Sequence, residues 1–103
     1  MAITIELWTG NGLIDGAEHW WDVVEATLQS LDPTHELYPL LSQVDPYGDA
    51  TFTHSQLKAL GEELRQLAGS TSRASIVAIT RELTNLCARG LRDDSSELRF
   101  VGD

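Results

Sequence analysis

The reading of one stretch, DGAEHWWDVVEATLQSLDP at residues 15–33, decides the fold. Ala17, Trp20, Trp21, Val24, Leu28 and Leu31 recur at spacings that place them on one wide apolar stripe of an α-helix. Glu18, Asp22, Glu25 and Gln29 fall on a separate polar face. Asp15 is suited to accept from the free amides of a helix start, and Glu18 follows three residues later, as in a capping box. Asp32-Pro33 is a stop, because proline lacks an amide donor and restrains the residue before it. The pattern predicts an amphipathic helix over residues 16–30.

Toward the N-terminus, Ile3, Ile5 and Leu7 alternate with Thr4, Glu6 and Trp8, which predicts a strand over residues 2–8. Gly10, Asn11 and Gly12 then form a turn cluster. Toward the C-terminus, residues 34–44 fit either a short helical turn or an irregular buried segment carrying Tyr38, Leu40, Leu41 and Val44. Asp45-Pro46-Tyr47-Gly48 is a turn, with proline fixing φ at its second position. Ala50–Thr53 reads as a very short strand.

Thr53 and Gln56 make a capping box, and Leu57, Leu60, Leu64 and Leu67 predict a helix over residues 54–68. Ile76, Ile79, Leu83 and Leu86 predict another over residues 73–89. Leu98 and Phe100 alternate with Glu97 and Arg99, giving a last strand over residues 97–101. The expected fold class is α+β: a single domain over residues 1–103, with about three helices and a small sheet formed by the N- and C-terminal strands. Those strands are expected to pair, since an isolated strand leaves its backbone groups unsatisfied.

The 103 residues carry a net charge of −9, and its placement is uneven. The first fifty residues hold nine acids and no Lys or Arg, while the rest hold seven acids and seven bases. Such a field repels nucleic acid and anionic membranes and attracts cationic surfaces. One cysteine, Cys87, excludes a disulfide within the chain. The N-terminus lacks the basic and apolar regions of a signal peptide, and no apolar run approaches a membrane span. These features make the cytoplasm the expected location.

Little points to catalysis. His19, His35, His54 and Cys87 do not stand at zinc spacing, so no metal and no cofactor is expected. A calcium loop starting at Asp45 fails, because its sixth position is Ala50 and its twelfth is Gln56. No nucleophile elbow, phosphate loop or dinucleotide fingerprint occurs. Cys87 reads as a buried thiol that behaves as a small hydrophobe. Adjacent tryptophans cannot both point to the centre of one helix face, so one of Trp20 and Trp21 is expected in the core and the other at its edge. Trp21 is the expected exposed anchor, with Tyr47, because such aromatics dominate binding energies.

The stretch from Leu40-Leu41 through Asp45-Pro46-Tyr47-Gly48-Asp49 to Phe52 resembles a group of small bacterial proteins with a similar pattern before a helix. The closing Arg99-Phe100-Val101-Gly102-Asp103 is similar to the end of such chains. Some of them look like immunity proteins, which neutralise a toxin by binding it. The resemblance covers only these two stretches. It implies a protein partner and no catalytic residue.

The expected function is therefore a non-enzymatic, immunity-type inhibitor whose acidic surface covers a basic cleft on a toxin. The expected partner-binding residues are Glu18, Trp21, Asp22, Asp32, Glu36, Asp45, Tyr47 and Asp49. The alternative is a structural subunit or homodimeric interaction domain that docks through an exposed apolar edge.

Overall fold

The computed structural model describes residues 2–102. Met1 and Asp103, the last residue of the closing stretch noted above, lie outside them. The chain begins with a hairpin of β1 (Ala2–Thr9) and β2 (Gly12–Trp20), followed by α1 (Asp22–Leu31). A single 3-10 turn at Leu41–Gln43 precedes β3 (Asp49–Thr53). Two longer helices, α2 (His54–Gly69) and α3 (Ala74–Gly90), lead to β4 (Glu97–Val101). The four strands form one antiparallel sheet in the order β2-β1-β4-β3. This is an α+β fold of three helices and a sheet, and the strands at the two ends of the chain pair at its centre.

The reading of residues 16–30 as helix is corrected at its first half. Residues 16–20 belong to β2, and α1 starts at Asp22. Asp15 and Glu18 form no capping box; both lie in the strand. Three effects outweigh the helical periodicity. Thr9 pairs with Gly12 across Gly10-Asn11, and Gly12 takes φ +110°, a conformation that only glycine adopts without strain. Gly16 would cost a helix interior about 1 kcal/mol relative to Ala. Without β2, one edge of the central strand β1 would carry unpaired amides and carbonyls.

Alternation along the strands divides the sheet into two faces. Ile3, Ile5, Leu7, Phe52, Leu98 and Phe100 point inward and are buried beneath the helices. Trp21, Val24 and Leu28 of the α1 region join them, as do the leucines of α2 and the aliphatic residues of α3. Phe100 sits edge-on to both Trp21 and Phe52, with ring centroids 5.6 and 5.5 Å apart. Such aromatic pairs add about 1 kcal/mol beyond the area they bury. The capping box of α2 forms as its sequence predicts, with Gln56 accepting from the Thr53 amide at 3.0 Å.

The ambiguous segment 34–44 is an irregular, largely exposed strap with one 3-10 turn, pinned to the core by Tyr38, Leu41 and Val44 and held by two interior carboxylates. The amides of Glu36, Leu37 and Tyr38 donate to Asp32 at 2.9, 3.0 and 2.7 Å. The amides of Leu40 and Leu41 donate to Glu63 of α2 at 3.1 and 3.0 Å. These are charge-assisted bonds, and they fix a segment that lacks regular backbone pairing.

Candidate functional site

The uncovered face of the sheet follows from the register. Residues directly opposite in an antiparallel pair point to the same side. Thr4 stands opposite Glu18 and Val101, and Val101 opposite Asp49, so Glu18, Thr4, Val101 and Asp49 form one row across all four strands. In the next row Glu6 lies between Gly16 and Arg99. In the third, Trp8 lies between Leu13 and Glu97. At the end nearest the first row, Trp20 stands opposite Ala2 and is 67% exposed.

Among the described residues, four carboxylates on this face, Glu6, Glu18, Asp49 and Glu97, are set against one guanidinium, that of Arg99, for a formal charge of −3. Arg99 is already engaged. Its guanidinium lies 4.5 Å from the centre of the Trp8 ring and donates to Glu97 at 2.5 Å. The Trp8 indole in turn donates to Glu6 at 3.1 Å. This cluster stiffens the middle of the face. Glu18 and Asp49 face outward on the two edge strands, about 14 Å apart at the usual strand spacing.

Tyr47 stands at the same end of the sheet as Trp20, on the opposite edge, and is 70% exposed. Its turn is tied down twice. The Tyr47 amide donates to Asp45 at 2.9 Å, and Gly102, just beyond β4, donates to the Gly48 carbonyl at 2.9 Å. A Cβ on Gly102 would come within 2.5 Å of the Pro46 and Gly48 carbonyl oxygens, so only glycine permits this approach.

The expected binding residues divide. Glu18 and Asp49 lie at one end of the sheet on opposite edge strands, with Tyr47 and Asp45 in the turn that leads into β3. Asp22 and Glu36 are exposed but lie off the sheet, at the start of α1 and in the strap. Trp21 is corrected: at 1% exposure it is core, and its neighbour Trp20 is the exposed ring. The strand ends between them, so the chain sends Trp20 outward and Trp21 into the interior. Asp32 is also corrected. It is 3% exposed, and its carboxylate is occupied by the three strap amides.

Nor do the nine N-terminal acids share one surface. Asp32 is internal, and Asp15 on the inward side of β2 is paired with Arg89 of α3. The sequence reading missed Trp20, Trp8, Leu13 and Ile14. The Gly10-Asn11-Gly12 cluster, read as a hairpin turn, places Leu13 opposite Trp8 and Trp20 opposite Ala2; Ile14 falls at the register shift, which alternation does not foretell.

Two buried carboxylates respond to their surroundings in opposite senses. Burial pushes the Asp32 carboxyl up, but its amide donors outweigh that and hold it below the ordinary carboxylate range. Burial also raises Glu63, and there its two amides do not compensate, with the Asp32 charge adding to the rise. Burial pushes the Cys87 thiol up to about 12, so it is a poor nucleophile. Among the described residues no cluster of three His, Cys, Asp or Glu side chains could hold a metal ion, and no helix is long and apolar enough to cross a membrane. The chain matches no protein-family model, no curated protein and no solved structure.

Proposed function

We propose that the protein is a non-catalytic inhibitor of the immunity type, binding a basic protein partner, a bacterial toxin domain, through the uncovered sheet face. One observation carries this reading: an exposed tryptophan, Trp20, stands at the end of an acidic sheet face on which the one cation among the described residues, Arg99, is already engaged. Tryptophan and tyrosine are the side chains that most often anchor protein interfaces. Held on a sheet and a tied turn, Trp20 and Tyr47 lose little conformational freedom on binding. The carboxylates would steer a cationic partner and speed encounter, while burial of the rings would slow release.

Geometry also sets the extent of the interface. Four strands span about 14 Å, and the paired segments run about 20 Å. That footprint is small beside the roughly 800 Å² per partner of a stable complex. The partner must therefore wrap past the face, onto the exposed edge of β2 or the Tyr47 turn.

The test is co-expression with the proteins encoded beside its gene. The reading expects one of them to be toxic alone, harmless in the presence of this chain, and bound to it on purification. It fails if no neighbouring product is neutralised or bound.

A second reading has its own observation. β2 is a nine-residue edge strand with Leu13 and Ile14 exposed, and it carries no Pro or Lys to block pairing with another strand. This favours a homodimer joined edge to edge. Sedimentation at micromolar concentration decides: a monomer rules it out.

A further inference from the structure

The molecule has a cationic counterpart to its acidic sheet, on the far side of the helical layer. There α2 and α3 leave an open groove of about 230 Å³ between them. Arg65 of α2 and Arg81 of α3 line it, with Ala68 and Val77 supplying apolar wall. Among the described residues, neither arginine side chain makes a hydrogen bond or an ion pair. Arg89 and Arg99, by contrast, are already held by carboxylates.

The other polar groups sort themselves by what they already hold. The Thr80 hydroxyl donates to the Ile76 and Val77 carbonyls, and the Thr84 hydroxyl donates to the Thr80 carbonyl. Their protons are used within α3. Asn85 and the two guanidiniums are the donors left to a ligand. A mainly apolar groove whose only charged lining groups among the described residues are two guanidiniums favours an anion with an apolar body. Arginine forks match the two oxygens of a carboxylate with paired hydrogen bonds.

We propose that the α2–α3 groove binds a small organic anion, its carboxylate held by Arg65 and Arg81 and its short aliphatic body lying against Ala68 and Val77. The site stands apart from the sheet face and does not depend on the function proposed for it. The volume is suited to a ligand of a few carbons and lies at or below the lower end of ordinary small-molecule sites, so the affinity expected for a simple acid is about millimolar.

The experiment is an NMR titration of the full chain with hexanoate, followed on the arginine Nε–Hε signals, with hexanol as the uncharged control. Saturable shifts at Arg65 and Arg81 with hexanoate, and none with hexanol, are expected. Both arginines are exposed, so Arg65→Gln and Arg81→Gln should fold normally. Each should weaken hexanoate by about tenfold, the contribution of one charge-assisted hydrogen bond. Absence of saturable shifts overturns the proposal. So does equal binding of hexanol, or full hexanoate affinity in the double variant when its thermal unfolding matches wild type.

Discussion

The two faces of the sheet are made from alternate residues of the same strands, yet they are organised by different physics. The inward face of β1, β3 and β4 holds Ile3, Ile5, Leu7, Phe52, Leu98 and Phe100, each almost completely removed from water. The outward face sets Trp8 and Val101 among Glu6, Glu97 and Asp49, and on β2 it leaves Leu13, Glu18 and Trp20 open to solvent. The inner face does the work of folding. The outer one leaves apolar surface in solvent, with Trp20 its most exposed ring. Trp20 and Trp21 put the contrast into a single peptide unit: adjacent in sequence and identical in chemistry, they are assigned to different tasks by the point at which a strand ends.

The largest effect should come from breaking the inner side. Trp21→Ala removes a fully buried ring in contact with Phe100, and a loss of about 3–5 kcal/mol is expected in denaturant unfolding. Trp20→Ala, one residue away, should stay within about 0.5 kcal/mol of wild type. Equal costs for the two would erase the distinction between the faces.

The interior carboxylates give a second, smaller contrast. Asp32 is held below its ordinary value, so it contributes stability above about pH 3.9 and loses that contribution as pH falls through its folded value. Glu63 is raised, so its sign is opposite. Its protonation favours the folded state, and stability is lost as pH rises from about 4.3 through the folded value. Thermal unfolding across pH 3–7 should therefore separate two variants. The advantage of wild type over Asp32→Asn should be steady at neutral pH and shrink below about 3.9. The advantage over Glu63→Gln should grow as pH falls from neutral toward the Glu63 value. Parallel curves for both would contradict the assigned directions.

The smallest effect on stability belongs to the outer charges. Glu18→Gln with Asp49→Asn should change folding by less than about 0.5 kcal/mol at each site. If the face meets a basic partner, the pair should slow association and flatten its dependence on salt, with dissociation little changed. Unaltered association kinetics would remove these two acids from the encounter.

Legibility in the sequence follows the length and regularity of each element. The helices α2 and α3, the terminal strands and the Asp45–Gly48 turn were readable because period and punctuation agree there. Residues 16–21 were not, because Ala17, Trp20 and Trp21 satisfy a helical stripe as well as a strand, and only the pairing needs of β1 choose between them. The strap at 34–44 was illegible for a different reason. Its order comes from Asp32 and Glu63, whose role as acceptors for backbone amides leaves no periodic signal. The same blindness affected the candidate site: an acid count cannot separate Asp32, which is inside, from Asp49, which is outside, so Glu18 and Asp49 on the sheet face were grouped with acids that lie elsewhere.

The central claim is that the uncovered face, anchored by Trp20, is where the partner sits. The most direct measurement is rescue of growth, on co-expression with the neutralised neighbouring toxin, by wild type and by Trp20→Ala variants of equal thermal stability and abundance. Loss of rescue by the alanine variant is the result predicted here. Full protection by a folded chain lacking that ring would place the contact elsewhere on the molecule.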